Sequence, residues 1–301
     1  EVAGGLVVVV EARRQSPDGA FSPLADAPVR LHLVATPHRV VRSLTGTTGA
    51  DGLARFELAP EIDVQAYAEV TDGRRYFSQP VDASSAGERR AVVTGYETLA
   101  DATIVKATSM HTVVELWEGF VTFTQVWELT VDRPAIYVPT MGNPASFAPF
   151  PMPRGAQGIH VSQPEGLSRV TGEIVWIGSE VAPPDVAERP ARLVVQFSLP
   201  LDGETIAWEQ PLTRDVDRVV VAVPQTSAFP RFPNLPIDLD VPSCDAAAAT
   251  EGGEVCFSTV GTDAAGLPLR DGVDVVMASG AAKAGQTVRI TTHGWPMRRP
   301  W

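Results

Sequence analysis

Apolar residues recur at every second position along this chain, in runs of about five to eight residues bounded by clusters of Gly, Pro, Asn and Asp. A period of two belongs to strands with one buried face; the three-to-four spacing of an amphipathic helix is almost absent. The chain therefore reads as all-β. In the N-terminal third the predicted strands are residues 5–12, 28–35, 40–44, 54–58, 63–71, 76–81 and 88–93, enough for one small β-sandwich. Residues 84–87 read as a terminal loop, and the link to the next segment falls at 95–100. That segment opens with a strand at 102–107 and a long hairpin, 111–117 and 121–131, in which Phe123, Gln125 and Trp127 share one face. Further strands are expected at 135–138, 158–162, 171–178, 191–199, 204–210, 218–223, 254–260, 273–278 and 286–292. Residues 141–154 and 229–244 carry repeated prolines and aromatics and read as ordered covering loops or edges.

The sharpest local signal is the segment Thr48-Gly49-Ala50-Asp51-Gly52-Leu53-Ala54-Arg55-Phe56. Asp51-Gly52 suits the positive φ angles of a tight hairpin turn, and Leu53, Arg55 and Glu57 then alternate with Ala54, Phe56 and Leu58. With the flanking runs DAPVRLHLV and DVQAYAEVTDGRRYFSQPV, this pattern resembles carboxypeptidase regulatory-like and Cna-B-like modules, small transthyretin-like sandwiches. The carriers of the resemblance are Pro28-Val29, Thr48, Asp51, Gly52, Phe56, Tyr67 and Val70. It implies a spacer, stalk or interaction domain of an exported protein over residues 1–95. An internal Lys-Asn crosslink of the Cna-B kind is excluded there, because no lysine precedes Lys106. The Tyr/His iron ligands and C-terminal Tyr-Arg-Gly-Ser of enzymes with this fold are missing from the module as well. The expected architecture is tandem Ig-like or transthyretin-like sandwiches over 1–95, 96–201 and 202–301, with a boundary near Leu201 where Asp202-Gly203 turns the chain. A merger of the last two into one domain is the alternative.

Composition narrows the partners. The 301 residues are 44% hydrophobic, which is ample for ordinary cores, and a net charge of -12 with pI near 4.9 repels a phosphate backbone. Nucleic acid is thereby an unfavourable partner. No run of 18 apolar residues is present. A start at Glu1 without methionine is expected of an exported chain whose signal peptide has been removed. Cys244 and Cys256 flank a short loop that a disulfide can span; two free buried cysteines are the alternative. The ending Trp295-Pro296-Met297-Arg298-Arg299-Pro300-Trp301 suits a membrane interface, by the tail itself or by an anchor after it.

Motifs for chemistry are sparse. His111 and Glu115 would share a strand face as a polar row, and His32, His38, His160 and His293 stand singly without metal-ligand spacing. Asp238, Asp240 and Asp245 suit either an oxygen-rich calcium loop or a charged edge strand. No Gly-x-Ser-x-Gly elbow, Cys-base pair or Gly-rich phosphate loop occurs. No cofactor is implied. Trp117, Trp127, Trp176 and Trp208 lie within strand patterns as core residues or, alternatively, a sugar platform. Phe147, Phe150, Phe229, Phe232, Trp295 and Trp301 belong to Pro-rich loops and are the candidate contacts for a protein partner. The expectation is a non-catalytic, extracytoplasmic structural or docking subunit of a bacterial cell-envelope or surface assembly. A carbohydrate-binding or adhesive module is the alternative, and an enzyme with an inter-domain site the third.

Overall fold

The computed structural model describes residues 5–35, 39–117, 120–140, 142–162, 168–184, 190–201, 203–224, 238–240, 242, 254–257, 259–261 and 275–293. The chain is all-β, built of several sheets in sandwich-like arrangement. It divides into two compact units, residues 1–98 with 133–136, and residues 99–132 with 137–301.

The first unit contains β1 (Leu6–Gln15), β2 (Phe21–Pro23), β3 (Pro28–Ala35), β4 (Arg39–Thr47), β5 (Leu53–Leu58), β6 (Val64–Thr71), β7 (Arg75–Phe77), β8 (Val81–Asp82) and β9 (Gly87–Leu99). β1 is central in one sheet, antiparallel to β5 and β2 and parallel to β9. The second sheet runs β4-β3-β6-β7, with β8 also on β6. Leu6, Val8 and Val10 from one sheet and Leu31, Leu33, Ala66, Ala68 and Val70 from the other are buried. Alternation along the strands thus supplies the core, as the period of two requires.

The segment 48–52 does not make the expected hairpin. β4 pairs with β3 and β5 pairs with β1, so the segment carries the chain from one sheet to the other. Thr48 is the reason. It is buried; its Oγ1 donates to Leu24 O at 2.5 Å and accepts from Ala27 N at 2.9 Å, and its own N–H donates to Ala27 O. Of the Asp51-Gly52 pair only Gly52 has positive φ, +76°, while Asp51 Oδ1 accepts from Leu53 N. The expected strand at 76–81 is split into β7 and β8, because the buried Ser78 takes over Ala68: its Oγ accepts from Ala68 N and its N–H donates to Ala68 O. β9 continues to Leu99, through the link expected at 95–100.

The second unit opens with a 3-10 turn, Ala102–Ile104, where a strand was expected; Asp101 caps it by accepting from Thr103 N. The long hairpin follows as β10 (Val105–Trp117) and β11 (Phe120–Val131). β12 (Ala135–Tyr137) begins in the first unit, at the sheet edge beside β9. Then come β13 (Ala148–Pro151), β14 (Gln157–Ser162), β15 (Ser168–Thr171), β16 (Ile174–Ile177), β17 (Ala191–Pro200), β18 (Thr205–Pro211), β19 (Val216–Pro224), β20 (Asp238–Asp240), β21 (Thr259–Gly261), β22 (Val275–Ala282) and β23 (Thr287–His293). The main sheet is seven-stranded, in the order β14-β17-β11-β10-β19-β22-β21. Strands from both sides of Leu201 belong to it, so the expected boundary there falls inside one compact unit.

Two three-stranded sheets, β13-β16-β15 and β18-β23-β20, cover the same face of the main sheet. Phe123 and Trp127 of β11 carry that packing. Trp127 meets Phe150 of β13 edge-on at 5.2 Å, and Phe123 meets Trp208 of β18 edge-on at 4.7 Å. Between them the fully buried Gln125 exchanges amide hydrogen bonds with Gln210 of β18, at 2.5 and 3.2 Å. β13 lies in the stretch read as covering loops or edges, and its two prolines are accommodated because it is an edge strand.

Candidate functional site

A cleft of about 520 Å³ opens within the second unit. Three local structures build it. The capped turn at 101–104 presents Thr103. A second 3-10 turn, Pro144–Ser146, presents Phe147; Asn143 caps it, and the buried Ser146 pins it by donating to Asn143 O and accepting from Thr140 N. Tyr137 holds this turn from beneath, donating to Ser146 O at 2.5 Å, and burial pushes its phenol up to about 12. The third is the bend Thr213-Arg214-Asp215 between β18 and β19, which brings Arg214 under Phe147, Pro149 and Trp176 in the cleft lining.

Arg214 is the unusual group. It is 8% exposed, and its guanidinium lies 4.3 Å from the centroid of the Phe150 ring. Nη1 donates to Val105 O at 2.7 Å and Nη2 to Pro149 O at 2.9 Å, so the side chain straps the main sheet to β13. Nε is buried with no hydrogen-bond partner. Burial lowers its pKa to about 10. Of the carboxylates in the lining, Asp215 is held by its own partners. Asp215 accepts from Ala284 N and from Lys283 Nζ, both at 2.9 Å, and the backbone bond followed by that of Lys283 holds it below the usual carboxylate range. Asp132 also has an interaction of its own.

Of the loop aromatics expected to meet a partner, Phe147 is half-buried in the cleft. Phe150 is corrected: at 1% exposure it is core, placed inward by its position on β13 between Trp127 and Arg214. Phe229, Phe232, Trp295, Trp301 and Cys244 lie outside the described residues; no free cysteine occurs among those described. Trp127 and Trp208 are buried, Trp176 lines the cleft, and the side chain of Trp117 lies outside the description. His111 is half-buried on β10 with its neutral form favoured by burial, and Glu115 is exposed. Asp238 and Asp240 form the edge strand β20; Asp245 lies outside the described residues. Arg214 itself carries no sequence signal, since a single Arg in a Thr-Arg-Asp turn looks like any solvated turn residue.

The first unit adds a second feature that spacing did not reveal. On the outer face of the β4-β3-β6-β7 sheet, His32 Nε2 lies 3.0 Å from Glu69 Oε2, and Nδ1 lies 2.9 Å from Ser43 Oγ. A carboxylate only accepts, so Nε2 donates to Glu69; in the neutral ring Nδ1 then accepts from Ser43 Oγ–H. His32 stacks on Tyr67 at 4.8 Å, and Tyr67 neighbours the half-exposed Phe77 at 6.3 Å. Ser43 is exposed mid-strand on an open sheet face, where water meets it freely. The serine, imidazole and carboxylate form a cross-strand polar row at the border of β4.

β4 closes that sheet. It pairs with β3 along one side and, among the described residues, with no strand along the other. No residue of β4 is buried, and Val40 and Val41 are 48% and 41% exposed.

No sequence profile of a known family matches the chain, and no curated protein matches it. Among solved structures it is similar to invasin, a bacterial integrin-binding protein, at 13% identity over 95% of this chain, with a TM-score of 0.15. The alignment takes in 56% of that longer chain. A score so low carries no argument about site or partner.

Proposed function

We propose that the protein is a non-catalytic, extracytoplasmic docking subunit of a bacterial envelope or surface assembly, and that it receives its partner along β4. The observation that carries this reading is the open edge of the nine-residue β4, none of whose residues is buried. Such an edge offers unpaired N–H and C=O groups to an incoming extended segment, and Val40 and Val41 offer it apolar contact. Arg39 and Arg42 stand on the same strand of an acidic protein. Two copies of β4 laid together would oppose like charges, so the fitting occupant is an acidic extended segment of a different protein. The resemblance of residues 1–95 to interaction modules of exported proteins supports the address. A Cys244–Cys256 bridge belongs to the same proposal, because such bonds persist in oxidising compartments.

The test is isolation from the native host under mild detergent, comparing the wild type with an Arg39→Glu/Arg42→Glu variant. Both arginines are exposed, so folding is expected to be unchanged. A partner in fixed stoichiometry that the variant loses is the expected result. A partner retained equally by the variant, or a protein that is alone in both preparations, contradicts the proposal.

A further inference from the structure

Arg214 is already anchored by two backbone carbonyls, yet two hydrogen bonds use only two of the five N–H groups of a guanidinium. Among the described residues no carboxylate pairs with it. A structural strap between sheets does not need a full buried charge, since a neutral donor would serve the same carbonyls at a smaller desolvation cost. Asp215 is occupied by Lys283 and the Ala284 N–H, and Lys106 lies 3.8 Å from Asp217. Arg214 is therefore a cation of the cleft lining that no carboxylate among the described residues pairs with, while Asp132 of the same lining stands apart from it. The walls of the cleft, Phe147 and Trp176, are aromatic. We infer that the cleft is a binding site for a small aromatic or apolar monocarboxylate, whose carboxylate meets the free N–H groups of Arg214 while its body lies between Phe147 and Trp176.

The chemistry selects that class. A guanidinium matches a planar carboxylate through paired hydrogen bonds, and in a desolvated site such a bond is stronger than on the surface. The volume admits a ligand with a ring and a short side chain. Asp132 in the lining disfavours a second negative charge, so a dianion such as phosphate fits less well.

The experiment is an NMR titration of the full chain with benzoate, phenylacetate and the neutral isostere benzyl alcohol, following the Arg214 side-chain Nε and the Trp176 indole. Saturable shifts at both signals with phenylacetate or benzoate, at least about 10-fold weaker with benzyl alcohol, are expected. Arg214→Met should remove the preference for the acid. Should that variant fail to fold, Phe147→Ala serves, because Phe147 is half-buried and holds none of the Arg214 contacts; it should weaken phenylacetate several-fold without moving the unliganded Arg214 signal. Equal affinity for acid and alcohol, or no shift at Arg214 with any acid at about 10 mM, would overturn the inference.

Discussion

Gly52 shows how one residue can be fixed by two independent constraints. Its φ of +76° is costly for any residue with a Cβ, and a Cβ built there would sit 2.5 Å from the backbone oxygen of Ala12. The same glycine's carbonyl accepts from Ala12 N at 2.9 Å, so it cannot simply move away. Gly52→Ala should therefore destabilise the first unit by about 2–3 kcal/mol or more, read as a lowered urea midpoint with an unchanged slope. Gly19, with φ +90° and nothing near its Cβ, is the control, expected to cost about 1 kcal/mol from strain alone. The sequence made Gly52 conspicuous as a turn residue. It did not reveal the turn's destination, because that depends on Thr48 reaching Leu24 and Ala27, contacts about two dozen residues apart in the chain.

Among the elements, β11 shows what alternation does and does not tell. Phe123, Gln125 and Trp127 are legible as one face and Trp127 as a core residue; that Phe123 is buried with it comes from the structure. A glutamine between them reads as a surface residue until its partner is known, and Gln210 lies 85 positions away on β18. Each amide satisfies the other, and Gln210 also donates to Pro151 O at 2.9 Å, so one pair joins the main sheet to both small ones. Gln125→Leu alone strands the Gln210 amide in the core and should cost about 1–3 kcal/mol. The double variant Gln125→Leu/Gln210→Leu should cost less than the sum of the two single changes, a coupling that urea denaturation of the four proteins measures directly. β13 is legible only as a covering loop or an edge, for a related reason. Its prolines argue against a central strand, and only the sheet order places it at an edge, where they are allowed.

At the scale of the whole molecule, the acid side of the pH dependence gathers contributions that share one sign. Burial, then the positive charge of Arg218, lowers the pKa of His111 in the folded state below its ordinary 6.5. The unfolded chain then takes up a proton first, so the stability held by neutral His111 is lost as pH falls from about 6.5 toward the folded value. Asp215 is depressed by its bonds to Ala284 and Lys283, so its contribution is present above 3.8 and is lost as pH falls through its folded value. The second unit should therefore unfold at lower urea concentration as pH drops from neutral, and His111→Gln should flatten the limb immediately below pH 6.5 while leaving the more acid limb in place. The all-β class and most strands could be read from the sequence because they follow from local alternation. The cleft could not, because its floor residue, its two capped turns and its aromatic wall come from distant segments that only packing brings together.

The central claim is that β4 receives an extended partner segment, and photo-crosslinking in the native host tests it most directly. A photoreactive residue is placed in turn at Ser43, Thr45 and Thr47, which lie in regular register beyond the bulge at Val41, with exposed Glu57 on β5 as the control. Strand addition predicts adducts from all three β4 sites and not from the control, with the attachment point moving two residues along one partner segment at each step. Adducts that form equally from Glu57, or that scatter over unrelated segments without that stepping, would contradict it.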